Sequence, residues 1–488
     1  MQKMNVPKEI KIIISALKKE GFQAYMVGGC VRDFLRGKEP KDWDVTTNAS
    51  PEKMVKLFPK SFLDNKFGTV SVLTGSQNPS LAEVEVTPYR IESKYSDKRH
   101  PDKVKWAKSL KEDLARRDFT VNAMAADEKM KVTDFFKGKE DLEKKVIRAV
   151  GDAQERFSED ALRMMRAVRL AASLDKEAWK IDPKTKKAIQ ENARFLSLIS
   201  KERVRDELMK IVMSDNASQG IDLLRELGLL KHVIPELEAG YGVSQNKHHI
   251  YEIYEHNLRC LQYAAKKDYN KHVRLAALLH DIAKPQTKKG EGKDSTFYGH
   301  EIIGAKMAQT ILERLKFSKK DVLKVRKLVR YHLFYYNVGE VSPASVRRLV
   351  RQVGQEDLDD LLKVRYCDRI GSGCPKAEPY KLRHLKYLID KSLQEPVSAK
   401  MLQVNGNDIM KAINEKPGPK IGQILDILLS EALQDPDKNK KETLIARTKQ
   451  ISSMSAKKIQ GMSQKTRKEL EEIETKKDEM TKKKYWVT

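Results

Sequence analysis

Period-two alternation of apolar and polar residues runs through the first part of the chain and is not found beyond about residue 158, where the spacing turns helical and stays so. A chain with this pattern builds its sheet early and packs the remainder as helices. The expected fold is therefore an α/β head, a small mixed sheet with helices, on a long all-α body. EIKIIISALKKE (9–20) has helical spacing, and Gly21 follows where a helix would stop. AYMV (24–27) reads as a strand running into Gly28 and Gly29, VRDFLRG (31–37) as a helix, and KDWDVTT (41–47), GTVSVLT (68–74) and LAEVEVTPYR (81–90) as further strands.

A length of 488 residues exceeds one ordinary domain. With 40% hydrophobic and 34% charged residues, the chain can fill several cores, which excludes a disordered or collagen-like protein. Lys and Arg outnumber Asp and Glu by 95 to 69, a net charge of +26, so the expected partners are polyanions, nucleic acid before acidic membrane. No stretch approaches the roughly 18 apolar residues of a membrane span. Cys30, Cys260, Cys367 and Cys374 form no C-x-x-C pair and no disulfide-style spacing, so a reducing, cytoplasmic location is expected and a structural zinc site is not. Residues 284–299 and 414–422 read as polar loops within domains. The Lys- and Glu-rich end, from about Ile451, reads as a solvated helix or a disordered tail.

Two carboxylates stand out after the glycine pair. Asp42 and Asp44 are two apart in an expected strand, so both point one way. Side by side they repel unless a cation lies between them, and hard oxygen ligands at that spacing suit Mg²⁺ bridging a nucleotide's phosphates. An isolated D-x-D is equally an exposed acidic edge; the glycine turn upstream, where backbone can approach a phosphate, favours the metal.

MVGGCVRDFLRGKEPKDWDVTT (26–47) resembles the opening signature of class II tRNA nucleotidyltransferases and bacterial poly(A) polymerases, members of the polymerase beta-like nucleotidyltransferase superfamily. The resemblance implies that Gly28, Gly29 and Arg32 hold the triphosphate and that Asp42 and Asp44 carry catalytic Mg²⁺, with Glu85 as the third acidic group. RRDFTVNAM (116–124) is close to the family's ribose-recognition motif, which makes Arg116, Arg117 and Asp118 nucleotide-binding residues; alone, the triplet could be a surface ion-pair cluster.

RFSEDALRMMRAVRLAA (156–172) reads as a helix starting near Ser158, with Asp160 and Arg163 at i, i+3 on one face, a spacing that also suits a simple salt bridge. In the family the matching E-D-x-x-R is an amino-acid template for the incoming base, which implies roles for Glu159, Asp160 and Arg163. Cytosine and adenine both offer an amine beside an acceptor nitrogen, fitting a carboxylate and a guanidinium, whereas uracil and guanine present a carbonyl instead. Arg166 and Arg169 continue in steps of three. Family resemblance makes both nucleotide-binding, although Arg169 falls half a turn from Asp160 on a straight helix. Residues 89–113 read as a long charged loop. The resemblance implies the flexible loop of CCA-adding members, full-length here, which favours complete CCA addition. Lys137 stands where the family often has glycine, implying an altered turn.

In the helical body, His280-Asp281 followed by IAKP resembles the HD phosphohydrolase superfamily. Its ligand pattern implies a divalent transition-metal site at His256, His280, Asp281 and Asp368, with His300 and His332 lining a phosphate pocket.

The expected organisation is a catalytic head (1–150), a helical neck binding base and tRNA (151–240), an HD domain (241–390), a C-terminal tRNA-binding region (391–450) and the tail (451–488). The expected function is template-independent addition of CCA to tRNA from CTP and ATP. The alternatives are a poly(A), CC- or A-adding enzyme of the same family, an HD-type phosphohydrolase acting on RNA ends or nucleotides, and a non-catalytic RNA-binding protein.

Overall fold

The computed structural model describes residues 5–63, 68–93, 103–246, 250–334, 336–393 and 399–487. They form two compact units: residues 1–333 with 359–377, and residues 334–358 with 378–488. This division differs from the expected one, because residues 334–358 and the C-terminal tail both join the second unit.

The first unit opens with helix α1 (Lys8–Lys19), which buries Ile10, Ile13, Ile14 and Leu17 at i, i+3, i+4, i+7. Gly21, at φ +82°, ends it. A seven-stranded mixed sheet follows, built from β1 (Ala24–Val27), β2 (Asp44–Thr47), β3 (Ser61–Leu63), β4 (Val70–Leu73), β5 (Glu83–Pro88), β8 (Met124–Ala126) and β9 (Val132–Asp134), in the order β3-β4-β5-β2-β1-β8-β9. Helix α2 (Gly29–Leu35) leaves the end of β1. β1 pairs antiparallel with β2, placing Val27 opposite Asp44, and β2 pairs parallel with β5, placing Asp44 opposite Glu85. On β5, Val84 and Val86 are buried and Glu83 and Glu85 are exposed, so one sheet face packs the core of Met26, Val45, Val70 and Val86 and the other carries charge.

The structure corrects three local expectations. Asp42 lies in a bend before β2, not within a strand. Residues 89–113 are not one long loop: β6 (Arg90–Ser93) and β7 (Lys103–Trp106) pair antiparallel, with Arg90 opposite Trp106, and helix α3 (Leu110–Ala115) follows; residues 94–102 lie outside the described residues. Lys137 takes a left-handed conformation (φ +63°, ψ 32°) at the start of helix Gly138–Glu143, a turn that glycine adopts without strain.

The expected helix start near Ser158 is also corrected. Helix α4 (Ala153–Glu159) ends there, Asp160 is extended at φ −133°, and α5 begins afresh (Leu162–Ser173). A short parallel pair, Val146–Ile147 with Lys180–Ile181, is the strand that the helical body was not expected to contain. Helix α6 (Lys201–Val212) packs against α5. Farther on come α7 (Ile253–Lys266), α8 (Lys271–Leu279), α9 (His300–Arg314), α10 (Lys319–Tyr331) and α11 (Gln355–Gly371).

The second unit is helical in its described residues. Its core of Ile409, Ile424, Ile427, Leu428, Leu444 and Ile451 is joined by Ile459, Met462 and Leu470 from the final 30-residue helix, Ala456–Tyr485. The tail is therefore neither disordered nor wholly solvated, because a few aliphatic residues at helical spacing dock its first half.

Candidate active site and metal centre

The end of β1, the start of β2 and the middle of β5 bring Gly28, Asp44 and Glu85 to one place. Gly28 sits at φ +83°, ψ −135°, a conformation reserved for glycine, and a Cβ there would lie 2.9 Å from Arg117 Nη1 and 3.6 Å from Asp44 Oδ2. Laterally paired strand residues share a face, so Asp44 and Glu85 are neighbours. Burial pushes the Asp44 carboxyl above its usual range, Arg117 pulls it back and the charge of Asp42 raises it again, placing the two aspartates within electrostatic reach. Asp44 is half-buried and Asp42 exposed. A paired, partly buried acidic cluster of this kind fits a hard divalent cation.

Asp113, missed in the sequence, anchors the arginines. It is fully buried, accepts from Thr46 Oγ1 (3.0 Å) and Arg116 Nε (3.0 Å), and lies 3.9 Å from Arg117 Nη2. Burial works against its charge, but Arg116 and Arg117 outweigh it and hold the carboxyl low.

Beside this cluster lies a lattice of arginines. Arg32 donates to Asn122 Oδ1 (2.6 Å), and Asn122 donates to Asp118 Oδ1 (3.2 Å), linking the glycine turn to the R-R-D motif. A Cβ on Gly29 would lie 3.5 Å from Arg32 Nη2. Asp118 also accepts from Arg166 Nε (2.8 Å); burial opposes its ionisation, yet Arg166, Asn122 and Arg163 hold it well below the usual carboxylate range. Arg169 pairs with Glu207 on α6 (2.7 Å) and feels the charges of Arg166, Asp118 and Arg32, so it faces this lattice after all. The half-turn offset assumed one continuous helix from Asp160, and the break at Asp160 resets the phase.

The simple salt bridge that the Asp160–Arg163 spacing also suits is replaced by other partners. Asp160 Oδ1 caps α5 by accepting from Leu162 N (3.0 Å), and its Oδ2 pairs with Arg203 on α6 (2.9 Å). Arg163 instead pairs with Glu159 (2.6 Å) and donates to the carbonyls of Arg156 and Arg116. Asn122, Arg203 and Glu207 were missed. Asn122 lay inside the quoted motif, whereas Arg203 and Glu207 carried no signal beyond helical charge spacing.

In the helical body, α7 supplies His256, the end of α8 supplies His280 and Asp281, and α11 supplies Asp368. His256 Nε2 lies 3.0 Å from His280 Nε2, 3.3 Å from Asp281 Oδ2 and 3.5 Å from Asp368 Oδ1, while His280 Nε2 lies 3.4 and 3.8 Å from the same two oxygens. Ligands about 2.0–2.2 Å from one ion in tetrahedral array stand about 3.4 Å apart, so the four donors fit a single ion. The Ala277 carbonyl can only accept, so His280 donates through Nδ1 (2.9 Å) and turns Nε2 inward. Burial opposes charge on His280, Asp281 and Asp368, but Asp281 and Asp368 raise the His280 imidazole, His280 and Lys284 hold Asp281 low, and Arg365 with the two imidazoles holds Asp368 low.

His300 and His332 lie 3.3 and 3.7 Å from Asp281 Oδ1, and burial together with His280 pushes His332 down to about 3. They line a cavity of about 710 Å³ with Lys284, Arg365 and Arg369. Lys284 reaches Asp281 Oδ2 at 2.6 Å, and Arg365 pairs with Asp368. Neither was expected, although Lys284 stands in the IAKP that follows His280-Asp281.

A glycine turn facing strand-borne carboxylates, followed by a helical body with an H…HD…D cluster, defines a nucleotidyltransferase head joined to an HD domain. Family models agree: residues 24–148 match "Poly A polymerase head domain", 179–240 match "Probable RNA and SrmB- binding site of polymerase A", and 253–370 match "HD domain". The CCA-adding enzyme of Ligilactobacillus salivarius is 33% identical over 454 residues, 92% of this chain and 98% of that one, and the one of Lactococcus lactis subsp. lactis is 31% identical over 456 residues, 92% and 100%. The chain belongs to the family of CCA-adding enzymes. The crystal structure of the Bacillus stearothermophilus CCA-adding enzyme in complex with CTP aligns at a TM-score of 0.56 and 29% identity, covering 91% of this chain and 96% of that one. The Thermotoga maritima CCA-adding enzyme complexed with tRNA, at 19% identity and a TM-score of 0.52, shares the fold over 91% and 96%. No helix among the described residues is long and apolar enough to cross a membrane.

Proposed function

We propose that this chain adds CCA to the 3′ end of tRNA from CTP and ATP, without a nucleic-acid template. The observation that carries the reading is end-to-end similarity to CCA-adding enzymes, spanning 98% and 100% of two relatives. In each step the tRNA 3′-oxygen bonds to the α-phosphorus, the bond to the β-phosphate oxygen breaks, and pyrophosphate leaves. Asp42 and Asp44 would hold Mg²⁺, which when bound stabilises triphosphate charge and makes the 3′-hydroxyl more acidic. Glu85, in register with Asp44, orients the attacking hydroxyl. The Gly28–Gly29 turn lets the triphosphate approach the backbone, with Arg32, Arg116, Arg117, Arg166 and Arg169 as its cationic surroundings. Asp118, kept ionised, accepts from the ribose 2′-hydroxyl.

Glu159, Asp160 and Arg163 select the base. Each oxygen of Asp160 keeps a lone pair beyond its bonds to Leu162 and Arg203, free to accept the exocyclic amine of cytosine or adenine, while Arg163, held by Glu159, donates to the ring nitrogen. Residues 1–150 form the catalytic head, 151–240 the neck, 241–390 the HD domain, 391–450 a tRNA-binding region and 451–488 the tail, all working in the cytoplasm. The deciding experiment incubates the protein and Mg²⁺ with tRNA transcripts ending at the discriminator base, at C and at CC, with all four triphosphates, and sequences the products. Growth to CCA and no further is expected; long A tails or a stop at CC would reassign it to a poly(A)- or CC-adding activity.

A second activity is favoured by the four converging donors beside a cationic cavity: phosphohydrolysis at the HD centre, loaded with a divalent transition metal, on phosphorylated RNA ends or nucleotides. A metal-replete protein inert towards 2′,3′-cyclic phosphates and nucleoside monophosphates would reject it.

A further inference from the structure

We propose that Cys260 is a fifth ligand of the HD centre, giving it a thiolate that His256, His280, Asp281 and Asp368 alone do not provide. The inference rests on the metal reading of that centre. Cys260 stands one helical turn after His256 on α7, fully buried, with Sγ 3.6 Å from His256 Nε2. One donor atom each from His256, Cys260 and His280 lies within 4.8 Å of the others. A thiolate 2.3 Å and an imidazole nitrogen 2.0–2.1 Å from one ion stand about 3.1 to 3.6 Å apart for angles between 90° and tetrahedral, so the observed separation fits a shared ion.

The direction of the side chain is fixed by α11. Asp368 and Gly371 lie three apart on one face of that helix, and a Cβ on Gly371 would come within 2.3 Å of Cys260 Sγ. The thiol thus fills the space beside Asp368 that glycine leaves open. Asp281 Oδ2 is buried, 3.3 and 3.4 Å from the two imidazoles and 2.6 Å from Lys284 Nζ, and none of the three meets it along a hydrogen-bonding direction, which leaves it lone-pair capacity for an ion. On coordination the thiol proton passes to solvent and sulfur binds as thiolate. A mixed N, O and S set of this kind selects Zn²⁺, Co²⁺ or Fe²⁺ over Mg²⁺ and Mn²⁺.

The test is absorption spectroscopy of the full chain, stripped of metal and reloaded with Co²⁺. A near-ultraviolet thiolate-to-cobalt charge-transfer band should accompany the visible d–d bands, and both should be absent from His280→Ala. Cys260→Ser should lose the near-ultraviolet band and keep the visible ones, while Cys367→Ser and Cys374→Ser keep both. His280-dependent d–d bands with no charge-transfer band in the unaltered protein would overturn the thiolate ligand and leave the metal reading standing. A Co²⁺ spectrum unaffected by His280→Ala would overturn both.

Discussion

Two carboxylates, Asp44 and Asp118, are shifted in opposite directions, the first up by desolvation and the second down by Arg166, Asn122 and Arg163. Asp44 is raised, so its charged form costs stability in the metal-free fold: what stability it contributes is present below its ordinary value and lost as pH rises through the folded value. Asp44→Asn should then abolish nucleotidyl transfer, lowering kcat about 10³-fold or more, while the metal-free melting temperature at pH 7 stays level or rises. A drop of several degrees would contradict this account. Asp118 is depressed by Arg166, so its contribution is present above the ordinary carboxylate value of about 3.9 and lost as pH falls through the folded value. Asp118→Asn should melt below the unaltered protein at pH 7, with a gap that narrows under pH 4; thermal scans at both pH values check it. Gly28→Ala places a Cβ 2.9 Å from Arg117 at a positive φ and should lower kcat/KM about 100-fold with the circular dichroism of the fold retained.

At the scale of elements, sequence and structure part where context overrides pattern. Ala24–Val27, Asp44–Thr47, Val70–Leu73 and Glu83–Pro88 announced themselves by alternation; Arg90–Ser93 and Lys103–Trp106 lay hidden in a charged segment, and Ser61–Leu63, Met124–Ala126 and Val132–Asp134 are too short to show a period. The break at Asp160 was illegible because residues on both sides favour helix, and the contacts that Asp160 makes there, with Leu162 N and Arg203, depend on how the elements meet. Side-chain types along the motifs could be read directly. The register that sets Glu85 against Asp44 could not, nor could the exchange of ion-pair partners between Asp160 and Arg163, because both depend on how separate elements meet. Asp160→Ala removes a cap and an ion pair, so about 1–2 kcal/mol of stability should go in denaturant titration. With it should go discrimination against UTP and GTP, read by sequencing products formed with all four triphosphates; unchanged fidelity would remove Asp160 from base selection. Gly371→Ala should separate α7 from α11 and cost about 1–3 kcal/mol, seen as a lower midpoint of unfolding.

For the whole molecule, an excess of 26 positive charges makes association with tRNA a matter of displaced counterions. Raising monovalent salt from about 50 to 200 mM should weaken tRNA binding on the order of 100-fold or more, and a flat profile in filter-binding assays would show that phosphates are not the grip. The division of the chain carries a different consequence. Residues 334–358 belong to the second unit, and the chain returns to the first only at 359, to deliver Asp368. A ribosome releasing this protein from its N-terminus therefore exposes the glycine turn, the carboxylates of the sheet and His256, His280 and Asp281 well before Asp368. A polypeptide stopping at residue 333 lacks α11, and with it the Asp368 carboxylate that completes the cluster of His256, His280 and Asp281.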